Sequence, residues 1–92
     1  MTVMIMVDVK NQTRENYDTM LKFLAGYART APGFILHSAY AAADGSWRVV
    51  EMWESTEHAN QFFRDHVVPN LPPGVRPKRH VQELHSLITR EC

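Results

Sequence analysis

Residues 3–9 read Val-Met-Ile-Met-Val-Asp-Val, with a β-branched residue at every second position and methionine at two of the three places between. Side chains alternate across a strand, so Val3, Ile5, Val7 and Val9 share one face while Met4, Met6 and Asp8 share the other. A strand over roughly 2–9 is therefore largely apolar on both faces. A strand with one wet face alternates more cleanly, so the sheet that contains this one needs cover on both sides.

The rest of the chain supplies few elements with which to cover it. Thr13 is a candidate N-cap, with Glu15 in the first turn where the helix dipole favours a negative charge. Tyr17, Met20, Leu21, Leu24 and Ala28 then recur at helical spacing, which predicts a helix over about 14–30 with one apolar face. Ala31-Pro32-Gly33 ends it. Residues 34–42 and 47–54 read as strands two and three, joined through Asp44-Gly45, a hairpin signal. Ser55 or Thr56 caps a second helix whose inner face is Ala59, Phe62, Phe63 and His66 and which ends near Val68. Residues 69–79, with Pro69, Pro72, Pro73, Gly74 and Pro77, predict a stiff irregular loop. Strand four is expected over about 80–88, followed by a short tail.

The expected architecture is α+β: one ferredoxin-like β-α-β-β-α-β domain over residues 1–92, with an antiparallel sheet and two helices on one face. Strand three carries Trp47, Val49 and Trp53 on one face and Val50 and Met52 on the other. Two helices cover one face of a four-stranded sheet, and no element is left for the second. Left bare, it would form an apolar patch larger than monomers usually tolerate. Packing two sheets about a twofold axis removes the patch, so a homodimer through the sheet face is expected.

Ten basic and ten acidic residues cancel. No basic stripe of the kind nucleic acid requires is present, and Arg76, Lys78, Arg79 and His80 read as a solvated run in the proline-rich loop. The apolar start, Met1 to Val7, lacks a positive flank and is too short to span a bilayer, so neither a signal peptide nor a membrane segment is expected. Cys92 is the single cysteine, which excludes an internal disulfide and fits a cytoplasmic protein.

Among residues that carry chemistry, the strong catalytic signatures are missing: no G-x-S-x-G elbow, P-loop, G-x-G-x-x-G or H-E-x-x-H. Five histidines, Tyr40, Glu51 and two tryptophans remain. Glu51, between Val50 and Met52 and on the same strand face as Trp53, is either a general base or the partner of a cation such as Arg48 or Arg79. His37 on strand two and His66 on the apolar face of helix two are candidate bases, since imidazole titrates near neutral pH, or else hydrogen-bonded core residues. His85 on strand four is a similar case. Trp53 and Phe62 are candidate walls for a flat ligand, and Tyr40 a candidate orienting hydroxyl. No histidine pair has metal-ligand spacing on one element, so no metal is expected.

Ala31-Pro32-Gly33-Phe34 followed by His37 and Ser38, and Val49-Val50-Glu51-Met52-Trp53-Glu54-Ser55 followed by Ala59 and His66, resemble two junctions of the antibiotic biosynthesis monooxygenase superfamily, the dimeric α+β barrels. The resemblance extends over essentially the whole chain. It implies the fold above, a homodimer and a small aromatic substrate. It implies little about the reaction, because the superfamily includes cofactor-free oxygenases, haem-degrading enzymes, cyclases and members without known activity. The anthrone-oxygenase branch has an asparagine four residues before the strand-three tryptophan, where this chain has Val49. The haem-degrading branch uses an asparagine on strand one, and Met4 to Val9 has none.

The reading carried forward is a monooxygenase-like protein that needs no cofactor and acts on a polycyclic or phenolic aromatic molecule of the polyketide type. His66, His37 or Glu51 would handle the proton, while Trp53, Phe62, Tyr40 and His85 would contact the substrate. Two alternatives remain open: a polyketide cyclase or isomerase on the same scaffold, and a dimeric binding module without chemistry.

Overall fold

A computed structural model describes residues 1–90. Cys92 and the last part of the expected tail lie outside the described residues. The elements are β1 (Val3–Lys10), α1 (Arg14–Thr30), β2 (Phe34–Ala41), β3 (Trp47–Trp53), α2 (Thr56–Phe62) and β4 (Arg76–Glu83). A π-helical turn, Phe63–Val67, and a 3₁₀ turn, Val68–Asn70, extend α2. The strands form one sheet in the order β2-β3-β1-β4, and every neighbouring pair is antiparallel. With both helices on one side, this is the ferredoxin-like α+β fold expected from the element order.

β1 is central, and its alternation sets the two faces of the sheet. Val3, Ile5, Val7 and Val9 are buried beneath the helices with Trp53, Ala59, Phe62 and Val75. Burying side chains of this size stabilises by about 1.5–3 kcal/mol each. The opposite face carries Met4 beside Met52 and Met6 beside Val50, then Asp8 beside Arg48. Met6 is 45% exposed there. This second apolar face is the one the sequence predicts to need cover.

α1 begins as expected: Thr13 Oγ1 accepts from the Asn16 amide at 3.0 Å. No α1 residue is fully buried. The apolar face of the helix roofs a cavity, while Leu24 and Ala28 pack against the core. Ser55 caps α2 by accepting from the His58 amide at 3.1 Å.

Three local features depart from simple periodicity. A bulge between Phe34 and Leu36 shifts the register of β2 against β3, so that Phe34 is opposite Trp53 and His37 opposite Glu51. Phe34 and His37 thus share the helix-facing side, whereas strict alternation separates them. Second, α2 widens at residues 63–67 ahead of Pro69, which has no amide hydrogen to continue a helical ladder. Third, β4 begins at Arg76, well before the expected residue 80, and ends at Glu83. Pro77 is tolerated because β4 is an edge strand, where a missing donor need not break a ladder.

Candidate functional site

The cavity between the helix-facing side of the sheet and α1 and α2 has a volume of about 280 Å³. Val7, Val9 and Val49 form its floor, Leu24 and Ala28 of α1 part of its roof, and Phe34, Trp53 and Phe62 a wall of aromatic rings. Trp53 meets Phe34 edge-on at 5.3 Å between centroids and Phe62 at 5.3 Å in a tilted arrangement. Such ring pairs hold their geometry beyond what simple burial enforces.

One chain of hydrogen bonds crosses this apolar space. Tyr17 Oη lies 2.8 Å from His37 Nε2. His37 Nδ1 lies 2.8 Å from Glu51 Oε2, and Trp53 Nε1–H donates to Glu51 Oε1 at 3.1 Å. An ionised carboxylate is acceptor-only, so in the neutral imidazole Nδ1 carries the hydrogen and Nε2 accepts. The Tyr17 hydroxyl therefore donates to His37, and its oxygen lone pairs remain available. Trp47 stacks on Tyr17 at 5.1 Å with 17° between planes, which fixes the phenol ring. Burial first, then the negative charges of Glu51 and Asp18, raise the Tyr17 pKa above its ordinary value. Tyr17 thus stays a neutral hydroxyl at physiological pH. An imidazole between a carboxylate and a hydroxyl has the connectivity of a nucleophile–base–acid triad, with a phenol in place of serine.

Arg79 of β4 also lines the cavity. Its Nη1 donates to Asn60 Oδ1 at 3.0 Å, and its guanidinium lies 4.4 Å from the centroid of Phe63. Burial lowers its pKa, and the Glu51 charge works the other way.

The structure brings His37, Glu51, Trp53 and Phe62 together, and it leaves His66, Tyr40 and His85 elsewhere. His66 lies in the π-helical turn, outside the lining of the main cavity. Its ring stacks on Tyr27 at 4.6 Å and meets Phe62 at 5.0 Å, in a shallow depression outside the main cavity. Tyr40 follows the β2 bulge, falls on the open sheet face opposite Arg48 and is 49% exposed. His85 lies beyond the end of β4 and is exposed. The expected basic run is not a loop: Arg76, Lys78, Arg79 and His80 all belong to β4, and Arg79 reaches the cavity. Sequence reasoning passed over Tyr17 as part of an apolar stripe. Its signal was a hydroxyl on that stripe within the first helical turn. For Arg79 the signal was the alternation Pro77, Arg79, Val81 with the charged Lys78 and His80. Among the described residues, no group of three or more His, Cys, Asp or Glu is placed to hold a metal ion. Nor is any helix long and apolar enough to cross a membrane.

Fold and cavity define a class, the small ferredoxin-like α+β proteins that enclose a site between sheet and helices. Within it, this chain belongs to the antibiotic biosynthesis monooxygenase family, whose model matches residues 1–67. No curated protein sequence matches the chain. Among solved structures it is similar to SnoaB, a cofactor-independent oxygenase from Streptomyces nogalater, with 13% identity, TM-score 0.73, and coverage of 95% of this chain and 96% of that one. It is also similar to Rv0793 from Mycobacterium tuberculosis, with 14% identity, TM-score 0.75, and coverage of 97% and 100%. A monooxygenase from the ActVA-Orf6 gene of Streptomyces coelicolor, in complex with nanaomycin D, gives 20% identity, TM-score 0.64, and coverage of 95% and 90%. At these identities the likeness concerns the fold.

Proposed function

We propose that the chain is a cofactor-independent monooxygenase acting on a phenolic or polycyclic aromatic molecule of the polyketide type. The observation that carries this reading is the Tyr17–His37–Glu51–Trp53 chain set into an otherwise apolar, aromatic-walled cavity. Family membership and the oxygenases among its structural relatives support it.

The substrate ring lies against Trp53 and Phe62. An acidic hydroxyl or ring CH₂ of the substrate gives its proton to Tyr17 as Tyr17 gives its own to His37 Nε2. Glu51 stabilises the imidazolium, and Trp53 holds the carboxylate in place. The resonance-stabilised carbanion transfers an electron to O₂, and the radical pair combines to a peroxide anion, which takes the proton back from His37 through Tyr17 to become a hydroperoxide. Loss of water then leaves a carbonyl. One oxygen atom ends in the product and the other in water, so the sum is a CH₂ group plus O₂ giving a carbonyl plus H₂O. The apolar walls keep solvent from reprotonating the carbanion. His37 and Glu51 are the catalytic pair, with Tyr17 between them and the substrate.

The test is oxygen uptake by metal-chelated protein supplied with anthrone, against a buffer blank. Uptake above the blank is expected, falling by about 10²-fold or more in His37→Ala, as loss of a positioned base does. Uptake no faster than the blank counts against oxygenation, and full turnover in both His37→Ala and Tyr17→Phe discards the relay.

Val49 favours a second reading. It lies on the cavity floor, where the resemblance to anthrone oxygenases calls for an asparagine. A cyclase would use the same relay to deprotonate a polyketide and close a ring without consuming oxygen. Product formed at equal rates under nitrogen and under air would select it.

The open sheet face supports a further part of the proposal, a homodimer in which Met4, Met6, Val50 and Met52 of each copy meet about a twofold axis.

A further inference from the structure

The cavity is electrically two-ended. At one end stands the Glu51 carboxylate with His37, and at the other the Arg79 guanidinium. They rise from β3 and β4, with β1 alone between them, so they are two strand spacings apart, roughly 10 Å across the sheet. Between them on β1 lie Ile5, opposite Glu51, and Val7, opposite Arg79, and Val7 lines the cavity floor. Glu51 is fully engaged, since one oxygen faces His37 and the other receives the Trp53 indole N–H. Arg79 is not matched in the same way. Its partners are a neutral amide and the face of a phenyl ring. Among the described residues no carboxylate oxygen lies within ion-pair distance of it.

Burial works against this half-buried cation, and the Glu51 charge, not in contact with it, offsets that only in part. Asn60 and Phe63 nonetheless hold the guanidinium in one place, leaving the rest of its planar fork of donors free. That fork fits a carboxylate, which it binds through two parallel hydrogen bonds.

We infer that Arg79 is a specificity residue for a substrate anion, and that the ligand is an aromatic hydroxy acid with its carboxylate across the ring system from the hydroxyl that meets Tyr17. This rests on the aromatic-substrate reading above and deepens it. The volume of about 280 Å³ is just below the roughly 300–1,000 Å³ of pockets for drug-sized ligands, and two fused rings with a substituent at each end fit it and span the two charged ends.

The test is calorimetric titration of the full chain with 6-hydroxy-2-naphthoate, its methyl ester and 3-hydroxy-2-naphthoate. The first has hydroxyl and carboxylate at opposite ends, the second lacks the charge, and the third has both groups side by side. The opposed acid is expected to bind about tenfold or more tighter than either control, the usual worth of a charge-assisted bidentate contact. Arg79→Gln removes that difference, and Arg79→Lys, which keeps the charge without the fork, retains part of it. Acid and ester binding equally to wild type would overturn the assignment to Arg79 while leaving the aromatic site intact. So would an Arg79→Gln variant that weakens both by the same factor, since that is a structural effect. Failure of all three ligands to bind would remove the aromatic-substrate reading, and this inference with it.

Discussion

Tyr17 shows how one side chain can serve packing and chemistry at once. Its ring belongs to the apolar face of α1 and stacks on Trp47, while its hydroxyl completes the bond chain through His37 to Glu51. Periodicity sees only the first role, which is why the sequence made Glu51, His37 and Trp53 visible as candidates and passed over the residue that joins them to the cavity. The raised Tyr17 pKa has a measurable consequence. A phenol that is harder to ionise folded than unfolded contributes stability fully present below its unfolded value of about 10, and lost as pH rises through the folded value. Urea midpoints measured from about pH 9 upward should fall more steeply for the wild type than for Tyr17→Phe. Parallel curves would mean that this hydroxyl titrates in the folded protein as it does in the unfolded chain.

Helix and strand identities follow the periodicities closely, and α1 matches the expected range. What periodicity could not reveal are single-residue irregularities: the β2 bulge and the π-helical widening of α2. The bulge shifts the facing of the residues beyond it and decides that His37 enters the cavity while Tyr40 does not. Pro77 hid the start of β4 for a different reason, because proline reads as a strand breaker unless the strand is known to lie at an edge. The α1–β2 junction offers a test at this scale. Gly33 has φ of 82°, and a Cβ there would stand 2.5 Å from the His58 ring. Gly45 has φ of 89° and open space around it. Gly45→Ala should cost about 1 kcal/mol, from the positive φ alone. Gly33→Ala should cost distinctly more, and His58→Ala should recover part of the excess when the two are combined, the His58 Cβ at 2.8 Å remaining in place. Equal costs at both glycines would show that His58 yields freely.

At the scale of the whole molecule the sheet has two unlike sides. One is closed by the helices around the cavity. The other presents Met4, Met6, Val50 and Met52 towards one end, with His80 opposite Met6, and Asp8, Arg48 and Lys78 at the other, where Arg48 Nε stands 3.2 Å from Asp8 Oδ1. The proposed dimer would bury the apolar end and leave the charged end at its rim. Met6→Glu should therefore turn a dimer into a folded monomer in sedimentation experiments, because Met6 is already half exposed in the single chain and the substitution costs the fold little. A monomeric wild type would require some other cover for this face.

Both tryptophans of the chain touch the bond network. Trp53 donates to Glu51, and Trp47 stacks on Tyr17. Indole emission responds to local polarity and to nearby quenchers, and here nearly all of it originates beside the cavity. The protein is thus its own label. A molecule entering the cavity should change the colour and intensity of its ultraviolet fluorescence, so libraries of unmodified compounds can be screened for the natural ligand by light alone.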